Sequence, residues 1–378
     1  MKIEYGFIIF TLSVIVGRIL RNRSLAESLI LAVNLGLLFA VLFSNTLIEG
    51  TIILAIVAFH FKFLRSGSRS STLMAFVLPA LIFFTFRAFP LPAVIGVSYL
   101  IFRMLSASLE VKSGKIPFFN LRQYLSYCFY FLTFKMGPVG SFEDHLISEK
   151  EQESKNWNDL NWLQLFRVIF GFVKYFMLAA YFRNFMNAFG VTNWNEAGSL
   201  VDLVLLGFKS YVAVYLIFSG FNDISIGLSH FLGYRMKENF AHPFKAGSVS
   251  EFWSNWHMSV TELLKDLIFY PLSVIAFRRV SPGSKFLIMP FIYLVLFLAI
   301  GIWHGSGANF LLLGLYHATG ATFAYYFSSQ LGRLWKGYKK SRFVQVISII
   351  ITQVFIALSF FLFDNGIIEI RTILGRLW

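Results

Sequence analysis

The sequence predicts an all-α integral membrane protein that crosses the bilayer many times, and three observations carry that prediction. The 378-residue chain is 57% hydrophobic and 14% charged, whereas soluble domains carry about a quarter charged residues. Mean hydropathy is +0.67. Apolar runs of about 20 residues recur from end to end, the length at which a helix crosses the hydrocarbon core. These runs lack the period-two alternation of an outer-membrane barrel, which excludes that architecture.

In chain order, the apolar runs place spans at 5–20, 25–43, 48–64, 73–89, 93–109 and 121–136. After a polar break they continue at 160–188, 199–219, 285–303, 306–327 and 343–363, about 11 transmembrane helices in all. The first run follows only Lys2, has no small-residue cleavage site and precedes Arg18, Arg21 and Arg23. That order reverses a signal peptide, so the run reads as a first membrane helix. Basic loops at 18–23, 62–69 and 112–122 alternate with a loop at 44–50 that carries only Glu49. The positive-inside rule then makes the N-terminus extracytoplasmic. The same placement of bases between apolar runs explains the net charge of +14 without nucleic acid.

The organisation that follows has N-terminal transmembrane helices at 1–136, a polar loop at 137–161 and a C-terminal transmembrane region at 162–378. The polar loop holds Glu143, Asp144, Glu149, Glu151 and Glu153, and reads as a surface loop or short amphipathic helix with His145 exposed. His60, beside Lys62 near a helix end, reads as interfacial. The single cysteine, Cys128, has no intramolecular partner for a disulfide and reads as a buried small hydrophobe. Leu331, Gly332 and the basic residues Arg333, Lys336, Lys339, Lys340 and Arg342 form a stop signal beside anionic lipid headgroups, or alternatively a docking patch for an acidic partner. No repeat of the kind that marks many transporters is found.

Residues 218–279 resist a count of spans. Ser219, Gly220, Gly227, Gly233 and Pro243 interrupt the apolar pattern, and Asn222, Asp223, Glu238 and Asn239 are polar. Irregular backbone at membrane depth is tolerated only inside protein or along a wet cavity. Residues 250–277 read as a partly buried or re-entrant helix capped by Ser250, with Glu251 at its positive end. On such a helix Trp253, His257 and Thr261 share one face while Glu262 and Asp266 lie on another, and Pro271 bends or ends it.

Two histidines stand in nearly identical apolar settings, Trp256-His257 and Trp303-His304. Ionisable groups there are costly and mark functional sites. A neutral imidazole accepts a proton, which suits a base that takes the proton of a hydroxyl attacking an acyl carbonyl. His304 is the candidate base, with Gly301, Gly305 and Gly307 around it. His257 would orient the acceptor, hydrogen-bond the carbonyl or assist proton transfer. A Trp-His pair that only bridges two helices is the structural alternative. His317 reads as supporting packing, and Asp223 and Asp266 as partners of nearby Lys or Arg. No G-x-S-x-G or H-E-x-x-H is present, and no carboxylate spacing completes a metal site with His257, His304 and His317.

Residues 218–318 resemble the core of the membrane-bound O-acyltransferase (MBOAT) family, in particular its bacterial branch that acylates alginate and teichoic acid. The resemblance lies in F-N-D-I-S-I-G-L at 221–228, E-N-F-A-H-P-F at 238–244, S-E-F-W-S-N-W-H-M-S at 250–259 and G-I-W-H-G at 301–305, in family order, with a weaker match at K-M-G-P-V, 135–139. It differs at Asn255, Lys265-Asp266 and Pro271-Leu272-Ser273-Val274, where the family often has Arg, an Arg-Asp pair and a P-L-G-G turn.

The resemblance implies a central funnel lined by histidines, with His304 catalytic and His257 the second histidine. Trp303, Trp256, Asn222, Asp223, Asn239, Asp266 and His317 are the candidate substrate-binding residues around them. It implies no bound cofactor and no metal. A thioester donor, acyl-CoA or a phosphopantetheine carrier protein, would arrive on the cytoplasmic side. A small acyl group, acetyl first and D-alanyl second, would pass to a hydroxyl of an extracytoplasmic envelope polymer, directly or through a partner acyltransferase. The expected location is a bacterial cytoplasmic (inner) membrane. The rival reading is a transporter or flippase using His257, His304 and Asp223 as a proton or substrate path.

Overall fold

The computed structural model describes residues 36, 47–66, 68–88, 96–134, 136–152, 162–188, 190, 192–334 and 341–377. The expected spans at 5–20 and, apart from residue 36, at 25–43, and residues 335–340 of the basic tract, lie outside them. No strand occurs among the described residues; one isolated antiparallel bridge joins Phe240 and Trp256. The chain divides into two units, residues 1–172 with 221–237, and residues 173–220 with 238–378.

The first unit contains α1 (Leu47–Arg65), α2 (Arg69–Ala88), α3 (Val97–Lys112), α4 (Leu121–Cys128), α5 (Phe142–Gln152) and α6 (Trp162–Phe172). One apolar core in it joins Val57, Leu100, Met104, Phe119, Tyr124 and Phe142. The run at 121–136 does not continue as one helix. Asn120 opens α4 with a reciprocal cap to Gln123, and α4 stops after Cys128. Its last carbonyls are met by a buried cation: Arg103, on α3, donates to the carbonyls of Tyr127 (3.2 Å), Cys128 (2.9 Å) and Tyr130 (3.2 Å) and to Thr133 Oγ1. A guanidinium at a helix C-terminus satisfies orphan carbonyls and opposes the dipole.

The polar stretch after it forms α5. His145 is buried, not exposed, because its ring stacks on Tyr234 at 4.9 Å and its Nε2 meets Ser126 Oγ at 3.1 Å and Glu149 Oε1 at 3.5 Å. Burial holds its imidazole below the ordinary value, with Glu149 opposing the shift. His60 is likewise fully buried rather than interfacial, bonded to Tyr124 Oη (2.5 Å), Ser108 Oγ (3.0 Å) and the Ala75 carbonyl (2.9 Å). Cys128 is buried, as composition suggested.

The second unit contains a π-helical turn Val173–Leu178, α7 (Ala179–Asn187), α9 (Val249–Asn255), α10 (Met258–Leu264), a second π-helical turn Lys265–Phe269 and α11 (Tyr270–Arg279). It continues with α12 (Ile288–His304), α13 (Ala308–Leu334), α14 (Arg342–Asp364) and α15 (Ile367–Leu377). Helix α8 (Leu200–Phe231) contributes residues 200–220 here and 221–231 to the first unit. The second π turn precedes Pro271, which has no N–H to donate, and the helix runs on through the proline instead of ending there.

Among the described residues, four helical segments are long and apolar enough to cross a membrane: Trp162–Asn187, Leu200–Phe231, Pro282–His304 and Arg342–Asp364. Between 17% and 39% of each span is buried within the protein, so most of their apolar surface is turned outward, as lipid contact requires. Helices α12 and α13 approach closely where glycines replace side chains. A Cβ on Gly301 would collide with the Phe310 carbonyl oxygen, and one on Gly314 would sit 2.6 Å from that of Phe297. Small residues at such crossings let backbones meet inside a bilayer.

Candidate active site

The site is built in the second unit, from an elbow and a helix end. Ser248 caps α9, accepting from the Glu251 N–H at 3.1 Å, while Glu251 Oε2 accepts from the Gly247 N–H at 2.8 Å. The cap is therefore Ser248 rather than Ser250, and the S-x-x-E spacing at 248–251 was the signal for it. Helix α9 ends at Asn255. The next residues do not continue it, because the chain is stapled to the segment 239–241. Ala241 N–H donates to the Asn255 carbonyl and Met258 N–H to the Asn239 carbonyl, both at 3.0 Å.

That staple forces His257 into left-handed backbone, φ 46° and ψ 50°, from which its carbonyl starts α10. A non-glycine residue in this region is held there by its surroundings, and such residues cluster at functional sites. The expected face of Trp253, His257 and Thr261 is consequently broken.

The elbow sends its two aromatic side chains to different places. Trp256 is buried among Phe252 (5.4 Å, stacked), Phe240 (5.0 Å, edge-on) and Tyr211 (5.8 Å), in the core shared with Ile356 and Phe360. His257, also buried, packs edge-on to Phe218 at 4.7 Å and lies 5.6 Å from the ring of Trp303.

Helix α12 supplies the other half. His304 is its last residue and only half-buried. Its ring lies 4.6 Å from Trp303, 5.1 Å from Phe363 edge-on and 6.4 Å from Phe310 in a stacked orientation. The Trp303 indole thus neighbours both imidazoles.

The remaining candidates separate. His317 on α13 is buried in an aromatic box, its Nδ1 accepting from Trp253 Nε1 at 3.3 Å, with Phe297 stacked at 5.8 Å. Asn239 is fully buried beneath the elbow and bonds His257 directly, Oδ1 to Nδ1 at 3.2 Å. Asn222 and Asp223 belong to the first unit. There Asn222 Nδ2 donates to the Met136 carbonyl at 3.3 Å, and Asp223 pairs with Arg167 at 3.0 Å, the basic partner its burial calls for. Asp266, on the π turn, is exposed and has no hydrogen-bond or ion-pair partner among the described residues. No group of three or more His, Cys, Asp or Glu side chains is placed as metal ligands would be among the described residues. The sequence reading did not single out Arg103, Phe218 or Phe363. None belongs to a recognisable spacing, although an Arg inside an apolar run was itself a warning.

Residues 30–363 match the model of the MBOAT, membrane-bound O-acyltransferase, family. The chain belongs to this family. It is 24% identical to a teichoic acid D-alanyltransferase of Bacillus subtilis (strain 168) over 72% of this chain and 68% of that protein. It is 30% identical to the probable alginate O-acetylase AlgI of Pseudomonas aeruginosa, over 57% of this chain and 39% of the relative. A peptidoglycan O-acetyltransferase of Helicobacter pylori is 28% identical over 51% of this chain and 36% of its own length. The matched part is thus well under half of the two acetyl-transferring relatives. All three relatives are named as acyl- or aminoacyl-transferring proteins of bacterial envelope polymers, which favours an integral-membrane O-acyltransferase over a transporter.

Proposed function

We propose that this protein moves a small acyl group, acetyl or D-alanyl, from a thioester donor onto a hydroxyl of a cell-envelope polymer, directly or through a partner acyltransferase. The observation that carries the reading is the His257–Trp303–His304 constellation in a chain of the MBOAT family. His304 takes the proton of the attacking hydroxyl as the new C–O bond forms. The tetrahedral intermediate then collapses, the C–S bond breaks, and the imidazolium returns the proton to the leaving thiolate. His257 and the apolar wall of Trp303, Phe310 and Phe363 hold the reactants and keep water away. The donor is acyl-CoA or a phosphopantetheine carrier protein on the cytoplasmic side of the inner membrane, and the basic tract at 331–342 is a docking candidate for an acidic carrier.

The test compares a strain lacking the protein with strains restored by the native chain or by equally expressed His304→Ala. Ester-linked acyl groups are released from the purified envelope with mild alkali and identified by mass spectrometry. Acetate or alanine that returns with the native chain and not with His304→Ala supports the reading and names the acyl group. Full restoration by His304→Ala removes the proposed base. No change in any strain removes acyl transfer altogether.

A further inference from the structure

Asn239 is fully buried, and its Oδ1 meets three groups at once: the Ser259 backbone N–H at 3.1 Å, Ser259 Oγ at 2.9 Å and His257 Nδ1 at 3.2 Å. The first of these decides the orientation of the amide. A backbone N–H only donates, so the amide atom facing it is the oxygen, and turning the amide over would set two donors against each other. The same oxygen faces His257 Nδ1. Two bare acceptors do not bond, so Nδ1 carries the proton and, in the neutral ring, Nε2 carries the lone pair.

The backbone of Asn239 works toward the same end. Its carbonyl accepts from the Met258 N–H at 3.0 Å, which helps to hold His257 in its left-handed conformation. One buried residue therefore sets the backbone, the ring position and the tautomer of His257.

We infer that Asn239 is a positioning residue that holds His257 in the Nδ1-protonated tautomer, so that Nε2 accepts a hydrogen bond from a hydroxyl of the acyl acceptor other than the attacking one, whose proton goes to His304. This rests on the acyl-transfer reading and narrows it. In this tautomer His257 has no proton at Nε2 to donate to the acyl carbonyl. It orients the hydroxyl-bearing substrate, and polarisation of the carbonyl falls to other groups.

The tautomer is measured on the full chain in detergent micelles, with isotope-labelled histidine followed by nitrogen NMR above neutral pH. Signals absent from His257→Gln identify His257. The expected result is a protonated Nδ1 and a bare Nε2, preserved in Asn239→Asp, which keeps the acceptor, and lost in Asn239→Leu, which does not. A protonated Nε2 in the native protein overturns the inference whatever the variants do. So does an unchanged tautomer in a folded Asn239→Leu. If that variant fails to fold, the native protein and Asn239→Asp decide.

The envelope-ester assay gives the second arm. Asn239→Leu is expected to fall by roughly 100-fold or more, toward the ~10^4-fold that a wrong imidazole tautomer costs a catalytic histidine, while Asn239→Asp stays within a few-fold of native. Equal ester levels with native and Asn239→Leu, at equal expression, overturn the inference. Failure of the native chain itself to restore any ester counts against acyl transfer, and the NMR result still judges the tautomer.

Discussion

Trp256-His257 and Trp303-His304 are the same dipeptide in similar apolar surroundings, and the fold uses them in opposite ways. In the first, the tryptophan is the anchor: its ring is packed into the core with Tyr211, Phe240 and Phe252, and the histidine emerges from a left-handed elbow. In the second, histidine and tryptophan both stand at the candidate site, at the end of a helix, with the indole 5.6 Å from one imidazole and 4.6 Å from the other. Backbone geometry explains the difference. Neighbouring side chains on a helix end diverge by about 100° and can line one wall together, whereas a left-handed residue reverses the chain and sends its neighbours' side chains to different surroundings. A dipeptide match alone therefore says where chemistry resides, not which ring performs it.

The largest expected effect tests whether the two histidines form one unit. His304→Gln should lower ester transfer about a thousandfold, within the range for loss of a general base. Groups that act together are strongly non-additive. The double variant with His257→Gln should therefore fall within a few-fold of His304→Gln alone, measured as envelope ester at matched expression. Multiplicative losses would mean that the histidines act in separate steps.

Next in size is the anchoring tryptophan. Trp256→Ala should cost about 3 kcal/mol of stability, as for other large-to-small changes of buried aromatics, read as a lower melting temperature in detergent. Trp303→Ala, from a half-buried ring, should cost less stability than Trp256→Ala. A reversed order would break the contrast drawn between the two pairs. Gly301→Ala is expected to cost about 2 kcal/mol, because its Cβ meets the Phe310 carbonyl and the α12–α13 crossing must open. It should also lower activity, since His304 lies one turn further along the same helix.

Much of this was legible in the sequence, and the gaps have identifiable causes. Apolar runs located α12 and α14 to within a few residues, because length and hydropathy alone decide a span. The run read as 199–219 is a helix to Phe231, since the polar residues that suggested its end are accommodated: Asp223 by Arg167, and Asn222 by the Met136 carbonyl. The run at 121–136 contains only a short helix, with carbonyls capped by Arg103 from 25 residues before Cys128. Both histidines were candidates from their costly setting and from family resemblance, and the structure sets both rings beside Trp303. The elbow at His257 was not legible, because it depends on hydrogen bonds to a segment 18 residues earlier, and no local propensity encodes them. His145 looked exposed because its neighbours are acidic, yet Tyr234 from a distant segment covers it.

The smallest effect separates the two roles left for Trp303. Its ring touches both imidazoles, as an apolar wall that keeps them close and dry or as a donor through the indole N–H. Trp303→Phe keeps most of the wall and removes the N–H. If the wall is what matters, ester transfer should fall by about tenfold or less, roughly 1.4 kcal/mol in barrier height, with stability unchanged. A fall comparable to that of His304→Gln would instead make the indole N–H a direct participant. It would then be the donor that the acyl carbonyl requires once His257 is committed to accepting, and the two tryptophans would differ in chemistry as well as in position.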